Sequence, residues 1–319
     1  MQEVLNVGVD VAKAELEIGV VDHPEHNGAI ANASVPIKEW LSSLPDNARI
    51  AVESTGSYHE LLVDLAQAQG FAVYVLNPCD VHYYARGLGQ RGKTDRMDAQ
   101  VISRYIREHY GRLHPFAAGS ATQREIRKLL NRRASVVVQR QALLRSLKEL
   151  EGVDASLLTI QLDDVLKQID QRIAAQIASD ADLADADRRL RTITGVGELG
   201  AAWLASLFER LRFSNSDAVV AYSGLDPRPR ESGKMRGQRK LSKRGPADLR
   251  RLRYMMAVSA SRTKTFSPYY LALRARGLSG TAAMVVLARR LLRIAFAVWK
   301  TKTTFDPSRY LAQETGAKL

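Results

Sequence analysis

The chain has 319 residues, 45% of them hydrophobic and 25% charged, and a formal net charge of +13 at pH 7. That length allows two or three domains of ordinary soluble composition. A single cysteine, Cys79, excludes an internal disulfide and a cysteine-rich metal cluster, and it reads as a small buried residue. The opening MQEVLNVGVD has neither the basic nor the apolar region of a signal peptide, and the run Ala282–Ala288 is too short to span a bilayer. The expectation is a cytoplasmic protein.

Alternation of Leu5, Val7, Val9 and Val11 with Asn6, Gly8 and Asp10, then of Leu16, Ile18 and Val20 with Glu15, Glu17 and Gly19, predicts a β-hairpin turning at Ala12-Lys13. Ile50-Ala51-Val52 reads as a strand ending at Glu53-Ser54-Thr55-Gly56. Leu61, Leu62, Leu65 and Ala66 recur at helical spacing, and Ala72–Leu76 reads as a buried strand closed by Asn77-Pro78. Then follows Lys93-Thr94-Asp95-Arg96-Met97-Asp98-Ala99, leading into Val101, Ile102, Tyr105 and Ile106 at helical spacing. This order predicts a mixed α/β sheet domain of about 110 residues.

From Ala121 the texture changes. Leu129, Val136, Leu143 and Leu150 recur every seven residues, with Ile126 and Leu147 in the companion position and Arg133 and Arg140 interrupting it. A second apolar series runs through Leu158, Leu162, Val165, Ile169 and Ile173. Two long helices are predicted, either an intermolecular coiled coil or a helical hairpin within one chain. Gly195-Val196-Gly197-Glu198-Leu199-Gly200 has the spacing of a dinucleotide fingerprint but lacks the preceding strand. It reads instead as a helix–turn–helix junction. That junction is either a helix-hairpin-helix whose glycines offer N–H groups to a phosphate, or a purely structural turn. Further on, Arg228 to Arg251 hold ten Lys or Arg against two acids, and Gly and Pro make the early part a loop. Helices are predicted after Gly245-Pro246 and over Thr281–Trp299.

Charge is unevenly distributed. Residues 1–110 carry 9 Lys or Arg against 15 Asp or Glu, whereas residues 188–319 carry 27 against 8. A basic last third points to a polyanion, and nucleic acid is favoured over a membrane surface. In the acidic first third, Asp95 and Asp98 lie three apart and share a helix face. Acids there also complement the helix dipole. Together with Asp10 within the first strand and Glu53 at the end of a central strand, however, they offer the carboxylate oxygens that hard divalent cations prefer.

The ordered set Gly8-Val9-Asp10-Val11-Ala12-Lys13, Glu53-Ser54-Thr55-Gly56-Ser57-Tyr58, Asn77-Pro78, Lys93–Ala99, Gly195-Val196-Gly197 and Ser223-Gly224-Leu225 through Glu231-Ser232-Gly233 resembles the DEDD-type transposases of bacterial insertion sequences, the bridge-RNA-guided recombinases. The resemblance implies three parts: an RNase H-like (RuvC-like) catalytic domain over 1–115, a coiled-coil helical linker over 116–187, and a mainly helical transposase domain over 188–319. It implies that Asp10, Glu53, Asp95 and Asp98 hold two Mg²⁺ ions, with Mn²⁺ as a substitute, and that Ser232 is the nucleophile in a site built from both catalytic domains. Arg228, Arg230, Lys234, Arg236, Arg239, Lys240, Lys243 and Arg244, with Gly195 and Gly197, are the nucleic-acid contacts expected. The implied partners are DNA, a guide RNA and further copies of the chain, as a dimer or tetramer through the coiled coil, with nucleoid association when bound to DNA. Two rival readings use the same residues: a resolvase-like endonuclease with water as nucleophile, and a non-catalytic basic scaffold.

If the basic third grips phosphate backbones, DNA or RNA affinity falls by roughly 10³-fold or more between 50 and 200 mM salt, as for about six or more phosphate contacts. A flat response in a filter-binding titration contradicts that assignment.

Overall fold

The hairpin forms where the alternation places it. Strands β1 (Asn6–Val11) and β2 (Glu15–Gly19) pair antiparallel, and the turn closes with Ala12 N donating to Glu15 O at 2.9 Å. The computed structural model describes residues 4–54, 58–89, 94–117, 119–148, 150, 152–229, 239–242, 245 and 247–308, with backbone only at 229, 239–240 and 247–250. By its contacts the chain divides into two units, Met1–Ala118 and Gly119–Leu319.

In the first unit, β3 (Gly28–Ala31) pairs with β2, helix α1 (Ser34–Ser42) follows, and β4 (Arg49–Glu53) runs parallel to β1. Helix α2 (Glu60–Ala68) then leads to β5 (Ala72–Leu76), parallel to β4. The sheet order is β3-β2-β1-β4-β5, and only β2 opposes the other four strands. This mixed sheet is consistent with the RNase H-like expectation. Strand β3 and helix α1 had no periodic signal strong enough to predict them. Nor did α3 (Pro78–Gly87), where an aromatic and basic stretch is helical because Asn77 Oδ1 caps Cys79 N at 2.9 Å and Pro78 occupies the first turn. Cys79 is exposed there, not buried as expected.

The two sheet faces carry different partners. Val7, Val9, Ile50, Val52 and Val73 pack with α1 and α2 side chains such as Ile37, Leu41, Leu62 and Val63. The alternate residues Ala51, Tyr74 and Leu76 pack with Val101, Ile102 and Ile106 of α4 (Asp95–His109). Helix α4 lies directly on β1 and β2. A Cβ built on Gly8 meets the Ala99 carbonyl oxygen at 2.2 Å and Ser103 N at 2.3 Å, and one on Gly19 meets the Ala99 carbonyl carbon at 2.6 Å. Ser103 fastens the contact: its buried Oγ donates to Asn6 O at 2.8 Å and accepts from Val21 N at 3.2 Å.

The second unit is helical. Helices α5 (Ala121–Leu147) and α6 (Ser156–Ala178) pack on each other, and the pairs Arg133–Asp170, Arg140–Asp163 and Arg172–Glu125 fix them antiparallel. The arginines that interrupt the heptads are thus the interhelix ion pairs of an intrachain hairpin. Only its base is buried, through Ile126, Leu129, Leu130, Ile173 and Ile177. There it meets α7 (Ala181–Arg191), α8 (Glu198–Arg210), α9 (Ser216–Tyr222), α10 (Ala247–Ser261), α11 (Ser267–Ala275) and α12 (Gly280–Thr301) around one core. Helix α8 is buried on nearly every side, as a central helix must be. Between α9 and α10 a short antiparallel ribbon forms from β6 (Pro227–Pro229) and β7 (Arg239–Leu241). None of the described helices is long and apolar enough to cross a membrane.

Gly8→Ala drives a methyl into the α4 backbone. The expected cost is about 1–3 kcal/mol, as for overpacking elsewhere, read as a fall in the first unit's denaturation midpoint. An unchanged midpoint contradicts the close approach.

Candidate active site

Asp10 and Glu53 become neighbours through strand register. In the parallel pair β1/β4, Val9 faces Val52, and Asp10 and Glu53 are the next residue on each strand. Adjacent strands lie about 4.8 Å apart. Asp10 shares the face of Gly8, and Glu53 that of Ala51, so both are on the side covered by α4. Both are half-buried.

Helix α4 brings the other two acids to the same edge. It runs antiparallel to β1, with Ser103 against Asn6 and Ala99 against Gly8. Four helical residues rise about 6 Å and two strand residues about 6.6 Å, so one further step sets Asp95 level with Asp10. Asp98 follows on the same helix face. Neither acid supplies the N-terminal cap: that is Thr94, whose Oγ1 accepts from Met97 N at 3.2 Å. The dipole's positive end still favours negative charge there. Lys93 lies outside the described residues.

The alternation contains a fifth acid that motif reading passed over. Glu17 of β2 is the cross-strand partner of Asp10, so Glu17, Asp10 and Glu53 form a row across three strands. Like charges in facing positions destabilise a sheet unless something offsets them. Gly8 and Gly19 also carried a usable signal, because glycine within a strand marks a close backbone approach.

The donor chemistry fits a hard divalent cation: four carboxylates at one sheet edge, on the carboxyl ends of parallel strands and the first turn of one helix. Among the described residues, no three His, Cys, Asp or Glu side chains are gathered closely enough to hold a metal ion. Asp10 Oδ1 accepts from Val11 N at 3.1 Å. Strand register thus sets Asp10 next to Glu53, and the rise of helix and strand puts Asp95 at the level of Asp10, while the side chains are not closed into a cage.

In the second unit, Ser232 lies outside the described residues, as do Arg230, Lys234, Arg236, Lys243 and Arg244. The structure does describe the segments on either side of them. Ser223 caps α9, Gly224 adopts φ 68°, and β6 follows. On the return, Ser242 N donates to Asp226 O at 3.0 Å and Ser242 Oγ bonds the Asp226 carboxylate. Fully buried Arg253 donates to Ser223 O, and a Cβ on Gly245 would lie 2.5 Å from the Ser223 carbonyl carbon. Arg228 is exposed and faces Lys240 across the ribbon, with Arg239 beside it opposite Pro229.

Gly195 and Gly197 join α7 to α8. Gly195 needs its φ of 94° and the absence of a Cβ, which would meet Ala260 of α10 at 2.5 Å; Gly197 is the N-cap of α8 with open space around it. Arg191 crosses this turn, binding Asp187 at 2.6 Å and Glu198 at 2.8 Å. Burial raises the Asp187 carboxyl above its ordinary value, and Arg191 opposes that rise.

A mixed sheet with carboxylates at the carboxyl edge, and a helical unit rich in Arg and Lys, are consistent with an enzyme that processes nucleic acid. Comparison with known proteins gives the family. Residues 7–150 match a transposase model of the DEDD, IS110 type, and residues 187–271 match a model described as transposase IS116/IS110/IS902 family. The chain belongs to this family of insertion-sequence transposases, and it is a DNA transposase or recombinase. It is 25% identical to a pilin gene-inverting protein of Moraxella bovis, over 94% of this chain and 97% of that one. It is 26% identical to a probable family 20 transposase of Pseudomonas aeruginosa, over 94% and 98%. A 42 kDa protein of insertion element IS900 from Mycobacterium paratuberculosis is 24% identical, over 94% and 97%.

Asp10→Ala and Asp95→Ala each abolish divalent-metal-dependent DNA cleavage if this edge is the metal site. Cleavage by either variant at the parental rate removes that residue from the site.

Proposed function

We propose that this transposase cuts and exchanges DNA strands through two groups of residues. Asp10, Glu53, Asp95 and Asp98 would hold two Mg²⁺ ions, or Mn²⁺ in their place, and Ser232 would be the nucleophile. The observation that carries the reading is the register that sets Asp10 beside Glu53 under the first turn of α4. Two ions at such an edge would supply charge stabilisation to the attacking and leaving oxygens.

The chain's own residues do the rest. The Ser232 Oγ gives up its proton and bonds to phosphorus. The bond from that phosphorus to a deoxyribose oxygen breaks, and the oxygen departs with a proton. One phosphate ester replaces another, so the energy of the DNA linkage is kept in the phosphoserine bond. Attack by the hydroxyl of a second strand then frees Ser232 and makes the new junction. This economy suits DNA inversion, the activity in the name of the Moraxella bovis relative, since an inverted segment must be rejoined at both ends. Arg228, Arg230, Lys234 and Arg236 would neutralise the reacting phosphate. Arg239, Lys240, Lys243 and Arg244 would hold the flanking backbone, and Gly195 and Gly197 would offer N–H groups to another phosphate. Facing basic residues at Arg228 and Lys240 support that role, because a polyanion would offset their repulsion beyond what the Arg228–Asp226 pair at 3.3 Å does.

Target choice would fall to a bridge RNA that pairs with both the element ends and the insertion site, leaving the protein to read backbone and shape. The basic last third gives room for a second polyanion beside DNA. Assembly into a dimer or tetramer is supported by the upper half of the α5–α6 hairpin, where Val138, Leu143, Leu157, Ile160 and Val165 are exposed.

Ser232→Ala is expected to abolish strand exchange and the covalent protein–DNA adduct while DNA affinity stays within about threefold, under half a decade of binding constant. Recombination at the parental rate would overturn the serine mechanism. Cleavage that persists without an adduct points to water as nucleophile, as in a resolvase.

A further inference from the structure

The residue after β3 has no place in any motif, yet it connects the two segments that leave the acidic edge. Strands β1, β3 and β4 all run toward this edge. Asn32 follows the end of β3, and its Nδ2 donates twice. One hydrogen goes to Ala12 O at 3.0 Å, two residues beyond Asp10. The other goes to Tyr58 O at 3.1 Å, five residues beyond Glu53. The Asn32 main chain is fixed as well, its N donating to Ala14 O at 2.9 Å in the same turn. A primary amide places two N–H donors on one nitrogen, and two carbonyl oxygens can be met only by donors. Asparagine thus joins, with one short side chain, the turn between β1 and β2 to the segment that follows β4, which the sheet order separates from β3 by β2 and β1.

We propose that Asn32 is a positioning residue for the metal site. By tying the turn after Asp10 to Tyr58, five residues beyond Glu53, it helps hold those two strand ends at the separation at which their carboxylates share divalent cations. This inference rests on the metal-site reading of Asp10 and Glu53. Asn32 does not touch the metal or the DNA in this scheme. It lowers the cost of gathering carboxylates that repel one another, as outer-sphere hydrogen bonds do in other metal sites. Neither the hydrophobic pattern nor the family motifs mark it, because its role depends on which chain segments meet at one edge.

The test uses the full-length chain with Asn32→Ala, Asn32→Gln and Asp10→Ala. DNA cleavage is titrated with Mg²⁺, and Mn²⁺ binding without DNA is followed by calorimetry. For Asn32→Ala the half-saturating Mg²⁺ concentration and the Mn²⁺ dissociation constant should both rise about tenfold, the lower range for loss of an outer-sphere partner. The cleavage rate at saturating Mg²⁺ should return to within about twofold of the parent, since the ligands and nucleophile remain. Asn32→Gln keeps the amide on a longer stem and should fall between the two. Unchanged half-saturation and dissociation constants in Asn32→Ala overturn the proposal. So does a rate reduced equally at every Mg²⁺ concentration, which is what general loosening of the fold produces. Asp10→Ala separates this from failure of the underlying reading. If Asp10→Ala still cleaves, the metal site itself is misassigned. If it is inactive at all Mg²⁺ concentrations while Asn32→Ala is unshifted, only the role of Asn32 falls.

Discussion

Everything at the acidic edge depends on how closely α4 lies on β1 and β2. The contact is backbone against backbone, possible because Gly8 and Gly19 carry no side chain and would otherwise clash at 2.2–2.6 Å. Ser103 sets the position along the strands through Asn6 O and Val21 N. With that point fixed, the rise per residue of helix and strand carries Asp95 and Asp98 to the level of Asp10. A bulkier pair of residues would let the helix ride higher. The four acids would then keep their sequence spacing and lose their common edge.

The second unit solves a different problem, which is to present a basic segment from a stable base. Like-charged side chains along Arg228–Arg251 repel one another. The structure secures both ends of the segment. Asp226 binds Ser242 through main chain and side chain, Gly245 packs against Ser223, and buried Arg253 reaches the carbonyl that ends α9. A guanidinium buried completely is costly unless its hydrogen bonds are met. Placing one at the negative end of a helix, on a carbonyl, offsets part of that cost.

Much of the fold was legible in the sequence, and the gaps have physical causes. The β1–β2 hairpin, β4, β5 and α4 follow strong alternation or strong helical spacing, and each forms where expected. Strand β3 is Gly-Ala-Ile-Ala, too short and too small to alternate visibly. Helix α3 starts from a cap and a proline rather than from an apolar stripe, and just one of its residues, Val81, is buried. The two long helices form as expected, but the heptad seam does not hold along α5: Leu129 is buried, whereas Leu143 and Leu150 are exposed and Leu150 lies beyond the helix. Arg133 and Arg140 looked like flaws in a seam, and pairing with Asp170 and Asp163 is visible only once α6 folds back. At the site, the four acids were legible as residue types in order. The row that adds Glu17 to Asp10 and Glu53 was not, because strand register is a property of pairing and not of one segment.

The uneven division of charge follows from the same chemistry. Carboxylates that must gather around cations are best placed where few cationic side chains compete for them, and residues 1–110 carry an excess of acids. Residues that must hold phosphate backbones do so best away from those acids, and the excess of bases lies in residues 188–319. Mixing the two sets in one segment would pair arginine with aspartate internally, as Arg140 and Asp163 do in the hairpin, and leave less of either for metal or DNA. The hairpin segment, with balanced charge over residues 111–187, is where such internal pairing serves structure alone. Separating the charges along the chain leaves fewer opposite charges within each segment to pair internally.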